Sequence, residues 1–131
     1  MIYGIGSDLL KVSRMTSLLK NHQERFIEKL LTPHEKVYLS KKSELDKELA
    51  KFYAAKEAIL KALGTGMIEG FRWKDMEIFR LPSGKPSFRL FGGCLSILGG
   101  NQDEYDFHLS LSDEENIVVA FAVISKKEKK P

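Results

Sequence analysis

The stretch 51–66 constrains the fold most, because its pattern predicts a long helix with one apolar face. Apolar residues recur there at spacings of three and four, the period of a half-buried helix, and they are Phe52, Ala55, Ile59, Ala62 and Leu63. On the other side Tyr53, Glu57 and Lys61 lie four residues apart, so they form one row. Gly64 is expected to end the helix in the left-handed conformation.

The row of Tyr53, Glu57 and Lys61, called the polar row below, has two interpretations. Glu-to-Lys pairs four residues apart are common on solvated helix faces, and the helix alone favours that interpretation. The same row could carry chemistry if a second carboxylate came close to Glu57. Residues outside this helix are needed to distinguish the two interpretations.

Composition predicts a single soluble domain. The 131 residues are 43% hydrophobic and 30% charged, and no apolar run approaches the roughly 20 residues of a membrane span. The first residues lack the basic segment of a signal peptide. One cysteine, Cys94, and three histidines exclude a disulfide framework and a zinc cluster. We therefore expect a cytoplasmic enzyme or binding module without a membrane partner.

The net charge of +3 is concentrated at the end of the chain. Residues 126–131 hold four lysines and one acid, and we expect them to be a disordered basic tail after a single domain at 1–125. Within that domain, residues 1–62 carry 12 basic and 8 acidic groups, whereas 63–125 carry 5 and 9. A basic first half weakly indicates an anionic partner or a phosphate-rich substrate.

The order of patterns predicts an α+β fold in which a long central helix packs on an antiparallel sheet. Helices are expected at 14–20 after a Ser13 cap, at 23–31, and from a Thr32–Glu35 capping box to 42, followed by the long helix. Alternating patterns then predict strands at 73–81, 87–91, 105–112 and 117–124, with a turn at 82–86 and a short helix at 93–98. Because the cap accounts for Glu35, we assign it no catalytic role.

Asp8 follows a short, glycine-rich stretch at 1–7 that is expected to be a buried strand. Local sequence allows Asp8 either to cap the next turn or to offer its oxygens to a metal. Two carboxylates, Asp8 and Glu57, without histidine or thiolate neighbours would suit Mg²⁺. Lys61, one turn beyond Glu57, would then meet a phosphate oxygen. The spacing is thus compatible with phosphoryl-type chemistry.

Several motifs occur in one order along the chain: Gly4-Ile5-Gly6-Ser7-Asp8, Arg25-Phe26, Thr32-Pro33-x-Glu35, Phe52-x-Ala54-Ala55-Lys56-Glu57-Ala58, Lys61-Ala62-Leu63-Gly64-Thr65-Gly66 and Gly84-Lys85-Pro86. Together they closely resemble the holo-[acyl-carrier-protein] synthases, the small class of 4′-phosphopantetheinyl transferases. The resemblance extends from residue 1 to about residue 124. Its most specific part is the Lys-Glu-Ala sequence with the lysine and Gly-Thr-Gly that follow.

The resemblance implies transfer of 4′-phosphopantetheine from coenzyme A to a serine of an apo acyl carrier protein, with release of adenosine 3′,5′-bisphosphate, in support of fatty acid biosynthesis. Asp8 and Glu57 match the Mg²⁺ ligands of that family, and Glu57 and Lys61 its catalytic residues. Coenzyme contacts are expected from Lys51, Lys56, Lys61, Gly64, Gly66, Lys85 and Pro86. Arg14, Arg25 and Phe26 match the surface that docks the acidic carrier protein.

The resemblance also implies a homotrimer with each active site at a subunit boundary. One departure from the family pattern concerns the last motif, usually Ser-x-Ser-His, which here reads Ser110-Leu111-Ser112-Asp113. A carboxylate near coenzyme phosphates would repel them unless a cation intervened. We therefore expect Asp113 either to face solvent or to reach Mg²⁺.

Two other functions are compatible with parts of the sequence. A non-catalytic module that binds anions or nucleic acid would use the lysine tail and the basic helices, but the domain without the tail is neutral and lacks aromatic residues between basic ones. A serine hydrolase would need Ser112, Asp113 and His108 to converge. Neighbouring strand residues point to opposite faces, which disfavours that arrangement.

Overall fold

The computed structural model describes residues 1–64 and 71–128. The strands are β1 (Ile2–Lys11), β2 (Met76–Arg80), β3 (Pro86–Leu90), β4 (Tyr105–Glu114) and β5 (Ile117–Lys126). The helices are α1 (Val12–Leu19), α2 (Gln23–Leu30), α3 (Pro33–Ser40), α4 (Leu45–Leu63) and α5 (Gly92–Ile97), and two short 3-10 turns occupy Trp73–Asp75 and Gln102–Glu104.

Two antiparallel sheets support the helices. The first has the strand order β1-β5-β4, and the second is the hairpin β2-β3. The long helix α4 packs across β1 and β5. Its buried residues, from Leu49 to Leu63, face the inward residues Val118, Ala120, Ala122 and Ile124 of β5 to form the main core. The predicted α+β fold, with a long helix on an antiparallel sheet, is confirmed.

The first strand differs from its prediction. It runs to Lys11 rather than ending at Ser7, so Asp8 lies within the strand instead of beyond it. Only the inward face is covered: Gly6 and Leu10 are buried, whereas Ile5 and Leu9 are 60% and 67% exposed. A local pattern of apolar residues and glycines identified the strand but not which of its two faces meets the core.

Two glycines of β1 allow α4 to lie against the strand. A Cβ atom at Gly6 would stand 2.0 Å from the carbonyl oxygen of Ala58, and one at Gly4 would stand 1.9 Å from that of Ala62. Both distances are far shorter than any real van der Waals contact. The glycines of β1 and the alanines of α4 therefore together allow one close contact between strand and helix.

The helix caps explain where α1 and α3 begin. Thr32 and Glu35 form the predicted capping box, since the Glu35 N–H donates to the Thr32 hydroxyl and the Thr32 N–H donates to the Glu35 carboxylate. The predicted Ser13 cap is wrong, because α1 begins at Val12 and Ser13 lies inside it. Asn116 of the β4–β5 turn caps α1 instead, accepting the Ser13 N–H at 3.0 Å and the Val12 N–H at 2.8 Å.

The second half of the chain follows the prediction with shifted ends. The strand expected to start at Trp73 begins at Met76, since Trp73–Asp75 forms a 3-10 turn. The turn at 82–86 is confirmed, and its Gly84 has a φ of +89°, which favours glycine. The last strand reaches Lys126, so that residue does not belong to a tail. Residues 129–131 of the predicted tail lie outside the described residues.

Among the described residues, no helix combines the length and apolar character needed to cross a membrane.

Candidate active site

The polar row of α4 meets β1 at Asp8. Asp8 lies on the inward face of β1, between Gly6 and Leu10, and therefore points toward α4. The ammonium of Lys61 lies 3.4 Å from Asp8 Oδ1 and donates a hydrogen bond of 2.8 Å to the carbonyl of Ser7. Residues 53 positions apart in sequence are thus joined, and the close contact at Gly6 makes this possible.

Glu57 lies next to this pair and is half-buried. Burial raises the pKa of its carboxyl above the ordinary value, and the negative charge of Asp8 raises it further, while Lys61 opposes both. The effect of the Asp8 charge on the Glu57 carboxyl is that expected of two neighbouring carboxylates. Asp8 therefore provides the second carboxylate beside Glu57 that a chemical role of the polar row requires.

The Asp8–Glu57 pair fits Mg²⁺ by its chemistry. Its donors are carboxylate oxygens, the ligands that a hard cation prefers, and their mutual repulsion would be relieved by positive charge. Within residues 1–64 and 71–128, no group of three or more His, Cys, Asp and Glu side chains converges. An ion held here would therefore take its remaining ligands from water or substrate, as Mg²⁺ usually does.

An aromatic wall formed by Phe26, Tyr53 and Trp73 stands beside the site. The Tyr53 ring lies 6.2 Å from that of Phe26 and 5.4 Å from that of Trp73, measured between centroids. Burial raises the pKa of Tyr53, the charges of Glu57 and Asp8 add to the rise, and Arg14 opposes it. Phe26 and Arg14, predicted to dock a partner, thus lie next to the polar row.

Sequence reasoning missed Trp73 and left Tyr53 unassigned. The alternating pattern predicts Trp73 as the first residue of a strand, and no local pattern connects it with Tyr53, 20 residues earlier on α4. The spacing of Tyr53, Glu57 and Lys61 did place Tyr53 on the correct face of α4. Arg25 is exposed on α2, one residue before Phe26, so the three docking residues occupy neighbouring helices.

The prediction that Lys56 contacts the coenzyme is wrong. Its side chain is completely buried, and its ammonium lies 2.7 Å from the equally buried Glu35 carboxylate. It also donates hydrogen bonds to the carbonyls of Leu30 and Trp73. Burial lowers the pKa of Lys56, which the Glu35 charge opposes. The resemblance to the family suggested the coenzyme contact, but position 56 lies on the buried side of α4 and not on the polar row.

Asp113 is exposed, as one of the two expectations had it, and it forms ion pairs with two lysines of α4. It lies near the end of β4, where its two oxygens form ion pairs with Lys47 at 3.3 Å and Lys51 at 3.2 Å. The Lys51 ammonium bond lowers the pKa of Asp113. Burial would lower the pKa of Lys51, but Asp113 and Glu48 outweigh it and the net change is upward. Two lysines thus supply the positive charge that was expected beside Asp113.

The remaining predicted coenzyme residues lie in different parts of the fold. Gly64 ends α4 in the left-handed conformation, with a φ of +81°, one turn beyond Lys61. Lys85 and Pro86 belong to the β2–β3 hairpin of the second sheet. Gly66 lies outside the described residues.

The fold and the site belong together in a known class of enzymes. The family model described as the 4′-phosphopantetheinyl transferase superfamily matches residues 4–122, so the chain belongs to that superfamily. It is similar to the holo-[acyl-carrier-protein] synthase of Methylobacterium sp. (strain 4-46), with 41% identity over 127 residues, covering 95% of this chain and 94% of the relative.

Solved structures agree with this assignment. The crystal structure of the holo-[acyl-carrier-protein] synthase from Neisseria meningitidis superposes with a TM-score of 0.84 at 38% identity, covering 96% of this chain and 100% of that one. The corresponding protein of Bacillus anthracis, solved in complex with CoA (3′,5′-ADP), has a TM-score of 0.79 at 29% identity and covers 97% and 99% of the two chains.

Proposed function

We propose that this chain transfers the 4′-phosphopantetheine group of coenzyme A to a serine of an apo acyl carrier protein in a Mg²⁺-dependent reaction. The observation that carries the proposal is the convergence of Asp8, Glu57 and Lys61 where β1 meets α4. Membership of the superfamily and the names of the relatives support the same substrates. Bound Mg²⁺ would supply positive charge to the pyrophosphate as the phosphorus–oxygen bond breaks.

Each residue of the site has a role that its surroundings support. Glu57 accepts the proton of the carrier serine, directly or through a water, and its raised pKa makes it a better base than an exposed glutamate. The serine oxygen forms a bond to phosphorus while the bond to adenosine 3′,5′-bisphosphate breaks. Lys61 stabilises the charge on the phosphate oxygens, because its half-exposed ammonium lies beside Asp8, where it can reach a bound phosphate.

The carrier protein would approach over α1 and α2. Arg14, Arg25 and Phe26 form this docking surface, and Arg14 lies close enough to Tyr53 to affect its pKa. Basic residues on a surface steer an acidic partner toward it. Phe26 adds an apolar contact next to the polar row, to which the carrier serine must be delivered.

We also propose that the chain is a homotrimer. The outward face of the β1-β5-β4 sheet is apolar and exposed, including Ile5 at 60%, Leu9 at 67%, Val119 at 39% and Phe121 at 43%. Adjacent apolar residues on one sheet face favour burial against another copy. Light scattering should give three times the chain mass. A single-chain mass at micromolar concentration would contradict the trimer.

Calorimetric binding of coenzyme A tests the proposed site before any turnover. The wild-type chain should bind coenzyme A in Mg²⁺ and lose roughly 10-fold or more in affinity with EDTA, because Asp8 and Glu57 would hold an ion whose positive charge attracts the pyrophosphate. Asp8→Asn should bind weakly in both conditions. Binding that is indifferent to Mg²⁺ would contradict the proposed metal role, and DNA binding without coenzyme A binding would favour a nucleic-acid module.

A further inference from the structure

The buried ion pair between Glu35 and Lys56 is the most strongly constrained polar contact of the protein. Both side chains have no exposed surface, and Lys56 Nζ lies 2.7 Å from Glu35 Oε1. Lysine and glutamate are almost never fully buried unless they are paired. The coenzyme role predicted for Lys56 is excluded by this burial, so its conformation needs another explanation.

Each member of the pair holds two further segments of backbone. Lys56 donates to the carbonyl of Leu30 at 2.6 Å and to that of Trp73 at 3.2 Å. Glu35 accepts the N–H of Thr32 at 2.9 Å and that of Ile78 at 2.8 Å. The pair therefore joins α4 to the end of α2, the start of α3, the 73–75 turn and strand β2.

A buried ion pair is an inefficient means of stabilising a fold, because removing two charges from water offsets most of their attraction. Apolar side chains of similar volume often serve stability as well or better. They could not bind four backbone groups at fixed distances, however. The specific property of the Glu35–Lys56 pair is thus that it sets the relative positions of the segments it joins.

Two of those segments lead directly to the candidate active site. Leu30 is the last residue of α2, and the same helix carries Phe26 of the docking surface. The Trp73 ring lies against that of Tyr53 at an interplanar angle of 35°, and the Tyr53 ring also lies beside that of Phe26. Glu57 follows Lys56 in α4, so the pair adjoins the polar row. A shift of the pair would move both outer members of the aromatic wall relative to Glu57.

We propose that Glu35 and Lys56 are positioning residues for carrier-protein transfer: their buried ion pair holds the end of α2 and the Trp73 turn against α4, and so sets the docking surface at the correct distance from the polar row. This inference rests on the proposed function, because it concerns how the carrier serine reaches Glu57. It assigns neither residue a contact with substrate.

Glu35→Asp is the main test, because it keeps the charge that Lys56 needs but shortens the side chain. The shorter carboxylate cannot hold Thr32, Ile78 and Lys56 at their present distances. We expect kcat/KM for the carrier protein to fall by roughly 100-fold, as for a misplacement of about 1 Å, while the Kd for coenzyme A changes by less than about threefold. Lys56→Met should lower kcat/KM for the carrier protein further, again with little change in the Kd for coenzyme A.

Fluorescence of Trp73, the only tryptophan in the sequence, provides a second measurement. Its emission should change in Glu35→Asp and Lys56→Met because the turn that carries it loses a fixed contact. Leu109→Ala is the matched control: it removes buried volume on β4, which is not among the segments that the pair joins, and should lower the melting temperature while leaving both the emission and the kcat/KM for carrier intact.

The outcomes separate the two proposals. Equal losses of kcat/KM in Leu109→Ala and Glu35→Asp would show a general stability effect and overturn the positioning role. A normal kcat/KM for Glu35→Asp with altered Trp73 emission would also overturn it. Absence of transfer by the wild-type chain in an assay where coenzyme A binds would overturn the proposed function itself, and the positioning inference with it.

Discussion

Glu57→Gln should fold normally and lose carrier-protein transfer by roughly 10²- to 10⁴-fold, the usual contribution of a general base. Glutamine keeps the size of the side chain but cannot accept the serine proton or bind a cation as a carboxylate does. Mass spectrometry of the carrier protein, sampled over time with coenzyme A and Mg²⁺, measures the loss.

The same variant makes a separate prediction about stability. Because burial and Asp8 raise the pKa of Glu57 in the folded chain, ionisation of Glu57 opposes folding at neutral pH. The cost is absent below the pKa of the unfolded chain, grows as the pH rises from that pKa to the raised pKa of the folded chain, and is fully present above it. Glu57→Gln should therefore melt at the same or a higher temperature than the wild type at pH 7. A loss of transfer together with an unchanged or raised melting temperature distinguishes loss of a catalytic group from damage to the fold.

Glu44→Gln is the matched control, since Glu44 is an exposed glutamate at the start of the same helix. Its transfer rate should equal that of the wild type. A normal rate for Glu57→Gln would remove Glu57 from the mechanism, and a lowered melting temperature would remove the electrostatic account of its raised pKa.

Gly6→Ala should destabilise the fold by about 3 kcal/mol or more, a large effect for one methyl group. The added Cβ would lie 2.0 Å from the Ala58 carbonyl oxygen and 2.7 Å from the Ala62 nitrogen. Both atoms belong to the backbone of α4, so the whole helix has to move away from β1. Chemical denaturation measures the change in the free energy of unfolding.

The movement of α4 should also impair the site, because Lys61 donates to Ser7, the neighbour of Gly6. Ser7→Ala is the control: its side chain points outward, and the change should alter the free energy of unfolding by less than about 0.5 kcal/mol. If Gly6→Ala unfolded with the same free energy as Ser7→Ala, the close contact would not be what holds α4 on the strand.

Local chemistry explains why several features could be predicted from the sequence. Periodicity placed Glu57 and Lys61 on one side of α4, and the Thr32–Glu35 capping box involves residues only three apart. Gly64 ends the helix as expected because a left-handed residue has few alternatives. Each of these depends on neighbours within one or two helical turns.

Features that depend on long-range contacts were predicted less well. Nothing in the amphipathic pattern of α4 indicates that Lys56 pairs with Glu35, 21 residues earlier, because the partner lies on another helix. The Lys47–Asp113–Lys51 contact joins α4 to a strand more than 60 residues away. The resemblance to a family could not supply it either, since Asp113 departs from the family pattern.

The most direct test of the account is transfer by the wild-type chain itself. Coenzyme A, Mg²⁺ and an apo acyl carrier protein are incubated with it, and the carrier mass and the released nucleotide are measured together. The account predicts one phosphopantetheine on the carrier serine for each adenosine 3′,5′-bisphosphate released, with neither formed in EDTA. Coenzyme A that binds in Mg²⁺ but leaves the carrier unmodified would contradict it.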